Sequence, residues 1–264
     1  MGGTGGGATN HASVALTMRA ILLAAGSGRR LQQPFPKCLV EIGGTTLLTR
    51  TLRVLAAVNT AEAWVVVGYR RQLIAEELAR HPPPLRVTCV SNDLFLRGSV
   101  RSLWAAQAAL VDPVLVMDAD VLFPVSLVRR LLDSSHRNCV LADPGASFTG
   151  EEMILTRQGE RIWDITRGVS DPSGTVGEGV GFYKLDRPAA QHLRLLLDQW
   201  ITNGRDNDEY EEVFRALFKA HDFGYELVGD LPWTEIDFPE DIRKAEQLIW
   251  PQIQRLEGDT ETAR

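Results

Sequence analysis

The stretch "RAILLAAGSGRRLQQPFPKCLVEIG", Arg19 to Gly43, decides how the chain is read. It opens as an apolar run, Ala20–Ala24, turns through Gly26 and Gly28, and then presents Arg29, Arg30 and, after Pro34 and Pro36, Lys37. A short apolar run ending in glycine fits a parallel strand covered on both faces. A loop at the carboxyl end of such a strand is where open α/β sheets bind ligands. Two glycines let the backbone bend and turn its N–H groups toward an anion. The dinucleotide pattern G-x-G-x-x-G fails here, because its third glycine falls at Leu31 and no strand-ending acid stands about 20 residues on. The Walker loop fails too, for want of G-K-[ST]. Glycines followed by two arginines and a lysine suit a triphosphate, since arginine grips phosphate oxygens through paired N–H groups and lysine adds a point charge. The competing account is a solvated basic turn after a buried strand.

Outward from this loop, apolar strands alternate with helical patterns. Strands are predicted over Ala20–Ala24, Ala63–Val67, Arg86–Val90 and Val114–Met117, and helices over Thr46–Ala57, Arg71–His81 and Ser99–Leu110. This is the βαβ rhythm of a doubly wound parallel sheet. From about Asn138 the rhythm changes to shorter segments, "CVLADP", "EMILTR", "ERIWDIT" and "GVGFYKL", which read as mixed or antiparallel strands. Helices over Pro188–Thr202 and Asp208–His221, a strand near Tyr225–Val228 and a last helix from Pro239 complete the chain. No Pro/Gly/Ser linker divides it. The expectation is a flexible Gly-rich leader (1–17), one α/β domain (18–257) made of two halves (18–137 and 138–257), and a frayed polar tail (258–264).

The 264 residues suffice for one large α/β domain, and 44% hydrophobic with 23% charged residues is an ordinary globular balance. A net charge of −6 argues against a general nucleic-acid or anionic-membrane binder. Cys38, Cys89 and Cys139 are too sparse for a disulfide frame or a zinc site and read as reduced thiols, in keeping with a cytoplasmic location. No apolar run approaches the roughly 18 residues of a membrane span. The state of assembly, a homodimer included, is left open by the sequence.

Two acidic segments stand out. In "VLVMDADVLF" a strand ends in Asp118-Ala119-Asp120, and residues i and i+2 of an extended segment share a side. Two such carboxylates near a phosphate loop can hold a hard cation, although aspartates are also common turn formers after strands. In "PWTEIDFPEDIRKAEQL", Glu235 and Asp237 lie on one side of a short extended stretch. Glu240 and Asp241, behind Pro239, read as first-turn helix acids.

"LLAAGSGRRL" followed by "PKCLVEIGG" resembles the L-A-A-G-x-G-x-R-[LM]…P-K signature of nucleotidyltransferases, which make NDP-sugars or CDP-alcohols from an NTP and a phosphorylated acceptor. The resemblance implies a Rossmann-like, GT-A-like doubly wound α/β fold with a mostly parallel, mixed sheet in a single domain. It assigns residues 18–137 to NTP binding and 138–257 to the acceptor. It also implies that the loop Leu23, Ala24, Ala25, Gly26, Ser27 and Gly28 holds base and phosphates, with Asp118 beside them as a nucleotide contact that orients or shares the metal. Arg30 would bind the triphosphate and Lys37 would sit at the transferred phosphoryl group. Asp120 matches the family's first Mg2+ ligand, Asp237 in "WTEIDFPED" the second, and Glu235 is its partner. The implied chemistry is in-line attack of an acceptor oxygen on the α-phosphorus, without a covalent enzyme intermediate.

"SNDLFLRGSVRSLW" resembles the base loop of the cytidylyltransferase branch, which points to Asn92, Gly98, Ser99 and Ser102 as nucleotide contacts and to CTP as donor. The P-x-G-T-A loop of many sugar-1-phosphate enzymes is absent. Arg101 reads equally as a phosphate contact or as part of a solvated helix face. The second half is rich in acids (Glu151, Glu152, Glu178, Asp206, Asp208, Glu211, Glu212) and aromatics (Trp163, Trp200, Phe182, Tyr183, Tyr210). Such groups suit a cationic acceptor of the phosphocholine or 2-aminoethylphosphonate type. Glu178, Glu152 and Tyr210 are the expected acceptor contacts. The alternatives are a sugar-1-phosphate nucleotidyltransferase, a GT-A glycosyltransferase, disfavoured by the G-x-G-x-R…P-K loop, and a non-catalytic nucleotide sensor, disfavoured by the joint presence of Arg30, Lys37, Asp120 and Asp237.

Overall fold

A computed structural model of the chain describes residues 18–145, 150–168 and 174–262. The expected leader, residues 1–17, lies outside them. Among these residues nine strands form one sheet: β1 Arg19–Ala24, β2 Glu62–Val67, β3 Arg86–Ser91, β4 Val114–Asp118, β5 Cys139–Asp143, β6 Met153–Gln158, β7 Arg161–Arg167, β8 Thr175–Leu185 and β9 Gly224–Leu227. The spatial order is β7-β6-β8-β4-β1-β2-β3, with β5 pairing to β8 and β9 to β5. β3, β2, β1 and β4 are mutually parallel, whereas β8 runs antiparallel to β4, β5 and β6. The sheet is thus mostly parallel on one side and mixed on the other, as the sequence implies, and β8 carries it without a break from one half of the chain to the other.

The strand reading holds because β1 and β4 alternate between two helical layers. Ile21, Val114 and Val116 pack with α3 (Val100–Ala105), α5 (Arg187–Thr202) and α6 (Tyr210–Ala220). Ala20, Leu22, Leu115 and Met117 pack with α1 (Leu47–Ala57), α2 (Arg71–Arg80) and α4 (Val125–Asp133). Helix starts follow their capping chemistry: Thr46 Oγ1 accepts the Thr49 N–H (3.1 Å) at α1, and Asp186 Oδ1 accepts the Ala189 N–H (2.9 Å) at α5.

Three features depart from the expectation. β3 is an edge strand with exposed residues, Cys89 among them, so it is not covered on both faces. The expected helix over Ser99–Leu110 ends at Ala105 and continues as a tight turn, Gln107–Ala109. α4, a stretch given no element above, buries Leu127, Val128 and Leu131 after Pro124. Past α7 (Pro239–Lys244) and a wide helical turn over Ala245–Ile249, α8 runs from Trp250 to Thr262. Ala245, Ile249 and Ile253 close a third small core over Leu31, Val40, Ile42 and Ile236, which holds the segment after the glycine loop against α8 and the turn before it.

Candidate active site

The three motif segments are stitched together by backbone hydrogen bonds. β1 and β4 are neighbours with Leu23 opposite Asp118, so the glycine loop leaves the sheet beside the Asp-Ala-Asp turn. The Ala119 N–H donates to the Leu23 carbonyl (3.3 Å). A two-residue ribbon pairs Val121–Leu122 with Thr234–Glu235, and the Ile236 N–H donates to the Asp120 carbonyl (3.0 Å). Asp241 then reaches back from α7 to accept the N–H groups of Asp237 (3.0 Å) and Phe238 (2.7 Å). Asp241 is therefore a helix-start acid, as expected, and one that fixes the backbone of Asp237.

Side chains converge on the same point. Lys37 Nζ donates to Asp120 Oδ2 at 3.1 Å and to Asp237 Oδ1. Arg30 donates to Asp237 Oδ2 (2.6 Å) and to Glu151 Oε2 (3.0 Å), and its guanidinium lies 5.0 Å from the Phe238 ring centre. Gly28 takes a left-handed φ of +56°, and a Cβ there would come within 2.8 Å of Lys37 Cγ, so the turn and the lysine seat each other. Carboxylate oxygens of Asp120, Glu235 and Asp237 lie within 4.8 Å of one another.

Desolvation within the cluster, then Asp120 and Asp237, raise the Glu235 carboxyl above its usual range, although the residue stays accessible at the cavity. Burial would lower Lys37, but Asp120 and Asp237 outweigh it and hold the ammonium above its usual range. Asp118 is raised by burial first and by Asp120 and Glu211 next, while the Tyr210 hydroxyl donates to its Oδ2 at 2.7 Å. Three carboxylates held this closely repel one another, and a hard divalent cation relieves that repulsion. All three are oxygen donors, and the cluster fits such an ion.

Two cavities meet at this point. One, about 480 Å³, is lined by the run from Leu23 through Arg30 together with Lys37, Phe95, Leu96, Arg97, Ser99, Ser102, Asp118 and Asp120. The other, about 620 Å³, holds Asp143, Glu152, Glu178, Glu211, Trp233, Glu235 and Asp237. Arg30, Ser99, Asp118 and Tyr210 line both and form the wall between them. Among its described residues the second cavity sets ten acids against three cations, whereas the first sets four cations against two acids.

The residues expected to contact nucleotide thus line the first cavity, with two exceptions. Asn92 is buried, donating to Ser102 Oγ (3.1 Å) and accepting the Leu94 N–H (3.0 Å), so it shapes the base loop from behind. Gly98 packs against the backbone of Asn207 and Asp208. Arg101 pairs with Asp206 and is neither a cavity contact nor a solvated side chain.

Glu178, Glu152 and Tyr210 all line the second cavity. Burial, then Glu152 and Asp143, push the Glu178 carboxyl up to about 7. Of the other acids and aromatics named above, Glu151, Glu211 and Tyr183 line it too. Phe182 belongs to the core against Phe123, Trp163 lies under Lys219, and Trp200 donates to Asp208. Asp206 and Glu212 face arginines elsewhere. Asp143 and Trp233 were missed. Trp233 Nε1 donates to Asp143 Oδ2 at 2.8 Å within this cavity. The available signals were an acid at the end of the "CVLAD" strand and a tryptophan two residues before Glu235.

A glycine loop, paired cations and a carboxylate cluster at the ends of parallel strands give, with this fold, the frame of a nucleotidyltransferase domain. The chain belongs to the MobA-like NTP transferase domain family, whose domain model matches residues 20–163. It is 31% identical over 238 residues to a bifunctional IPC transferase and DIPP synthase of Rubrobacter xylanophilus, an alignment covering 87% of this chain and 51% of that protein. It is 28% identical over 251 residues to the CMP-5'-(3-aminopropyl)phosphonate synthase of Streptomyces rubellomurinus, covering 90% of this chain and 40% of the relative. The chain thus spans about half the length, or less, of these curated relatives. The CTP:phosphocholine cytidylyltransferase of Streptococcus pneumoniae superposes with a TM-score of 0.71 at 22% identity, over 88% of this chain and 98% of that one, which shows a shared fold. No helix among the described residues is long and apolar enough to cross a membrane.

Proposed function

We propose that the chain transfers CMP from CTP to a small phosphorylated or phosphonate acceptor that carries a cationic end, of the phosphocholine or 2-aminoethylphosphonate type. The observation that carries this reading is the pairing of a cation-lined cavity with an acid-lined one across a shared wall of Arg30, Ser99, Asp118 and Tyr210. A triphosphate suits the first. An acceptor with an anionic head and a cationic tail suits the second, its head toward Arg30 and Lys37 and its tail toward Glu178, Asp143 and Trp233. The phosphonate-linked name of one relative and the phosphocholine-linked name of the structural neighbour support the same class.

The acceptor oxygen attacks the α-phosphorus in line, a new P–O bond forms, the bond to the bridging oxygen of the β-phosphate breaks, and pyrophosphate leaves. The nucleophile is already anionic, so no general base is required. Lys37 and Arg30 align the reacting phosphates and offset their charge. Asp120, Glu235 and Asp237 would hold Mg2+, which supplies further charge neutralisation when bound. Asp118, braced by Tyr210, keeps the two substrates' pockets in register.

The test is pyrophosphate release from each NTP with Mg2+ and a panel of phosphocholine, 2-aminoethylphosphonate, inositol phosphate and hexose 1-phosphates. Turnover confined to CTP with a cationic acceptor is expected. Release with a hexose 1-phosphate alone moves the assignment to a sugar-nucleotide synthase, and release with none of them overturns it.

A further inference from the structure

The nucleotide loop and the acceptor-side helix are built as one unit. Gly98 in the base loop donates its N–H to the Asp206 carbonyl (3.2 Å), and the Val100 N–H donates to the Asp208 carbonyl (3.2 Å). The approach is so close that a Cβ on Gly98 would lie 1.9 Å from the Asp208 carbonyl oxygen. Glu209, at the cap position of α6, makes no side-chain capping bond. The cap comes instead from across the molecule, because Ser99 Oγ accepts the N–H of Tyr210, the first residue of α6, at 2.8 Å. The hydroxyl of that same tyrosine donates to Asp118 in the wall between the cavities.

One side chain locks this junction. Asp206 is buried in the segment leading to α6, and its Oδ2 accepts from Arg101 Nε (3.1 Å) and Nη2 (2.8 Å) and from Arg97 Nη1. Arg97 sits on the base loop, lining the nucleotide cavity, and Arg101 lies in the first turn of α3. Charge-assisted bonds from two guanidinium groups to one buried carboxylate are strong and directional.

We propose that Asp206 is a positioning residue that couples the two substrate pockets: it ties the base loop to the start of α6, so that nucleotide seated against Arg97 and Ser99 fixes Tyr210 and Asp118 for the acceptor. Asp206 lines neither cavity among the described residues and acts through its two arginines. The inference rests on assigning the glycine-loop cavity to the nucleotide. Coupling of this kind is reciprocal, each substrate tightening the site of the other.

Hydrogen exchange with CTP and Mg2+ alone tests it, with no acceptor needed. In the wild-type chain, CTP is expected to slow exchange in residues 92–101 and also across 204–214. In Asp206→Asn the first segment still responds and the second does not. Arg101→Gln, which removes two of the bonds without touching a cavity, is expected to behave in the same way and serves if Asp206→Asn folds poorly. In turnover assays both variants are expected to raise KM for nucleotide and acceptor together, by about fivefold or more, with little change in kcat. A purely structural role would lower the melting temperature and the active fraction and leave both KM values alone. Wild-type protection confined to 92–101, or protection of 204–214 that survives both variants, overturns the coupling. No protection in 92–101 or in the glycine loop overturns the nucleotide assignment itself, and the coupling with it.

Discussion

The glycine-loop cavity is floored by the ends of parallel strands, and most of its polar groups come from the loop after β1 with Arg30 and Lys37, the end of β4, and the segment from Arg97 to Ser102. The acid-lined cavity, proposed for the acceptor, is assembled from more distant pieces: the end of β5, the middle of β8, the turn before β6, the start of α6 and the segment around Trp233. The first is net cationic by its lining and the second strongly acidic, although the chain as a whole carries only −6. Parallel strand ends supply a fixed frame on which one loop can do the binding. Antiparallel strands and helix starts supply many short contributions, each of which is free to carry a different side chain. In the proposed reaction Arg30, Lys37 and Asp120 act from this frame, Glu235 and Asp237 are brought to it by the ribbon with Val121–Leu122, and the choice of acceptor falls to the assembly.

The comparison is broken most directly at the reaction centre, where both cavities lose their function together. Lys37→Ala is expected to lower kcat by about 10² to 10³-fold, because the ammonium offsets charge that develops on the reacting phosphates. Pyrophosphate release at saturating substrates checks this, and unchanged turnover would remove Lys37 from the centre of the mechanism. Asp120→Asn comes next. A fall of roughly 10²-fold is expected, with a higher Mg2+ concentration needed for the half-maximal rate. A titration with Mg2+ separates a weakened metal site from a general loss, since only the former is recovered in part by added metal.

The contrast between the two cavities also accounts for what could be read in the sequence. The strand, glycine loop and lysine lie within 25 consecutive residues, and their spacing alone excludes two other phosphate loops. Asp120 and Asp237 were singled out by the resemblance, since an acid pair after a strand reads equally well as a turn former. What the sequence does not state is that the ribbon between Val121 and Glu235 brings them together. Of the acid-lined wall, Glu178, Glu152 and Tyr210 were named individually and the rest was legible only in composition. Acids and aromatics were counted correctly as abundant, yet Phe182 and Trp163 turned out to serve packing and Lys219, while Asp143 and Trp233 went unnoticed. In β8 a bulge between Gly179 and Tyr183 resets the register, so which face each side chain takes cannot be counted from alternation. α4 escaped notice although it is amphipathic, with Leu127, Val128 and Leu131 inward, and its start after Pro124 was an available signal.

A change at Glu178 is expected to separate the cavities by substrate. Glu178→Gln is expected to raise KM for a cationic acceptor about tenfold while KM for CTP stays within twofold, as follows when one charged partner of the acceptor is removed. The pH dependence has a definite sign. The folded protein holds this carboxyl's proton up to about 7, against an ordinary value of 4.5. Its contribution to stability therefore falls as pH rises across that window, because the unfolded chain has already released the proton. Acceptor binding runs the other way. Ionised Glu178 attracts the cationic end, so acceptor KM falls as pH rises through about 7, and the difference between wild type and Glu178→Gln grows over the same interval. Equal pH profiles in the two proteins would remove Glu178 from acceptor recognition.

The smallest expected effect is the finest probe of how the acceptor wall is held. Trp233 contributes its ring to the cavity and, through Nε1, the hydrogen bond that holds Asp143 at 2.8 Å. Trp233→Phe keeps an aromatic face but leaves Asp143 without that donor. A rise in acceptor KM of about threefold to fivefold is expected, the value of one ordinary buried hydrogen bond, with kcat and the KM for CTP unchanged. Asp143 also faces Glu178 across β5 and β8, so freeing it changes the field at the neighbouring carboxyl. The double variant with Glu178→Gln is therefore expected to be less than additive, since residues in one network share their energies. Additive losses would mean that Trp233 and Glu178 grip the acceptor independently, and the acid-rich wall would then be a collection of separate contacts with no common network.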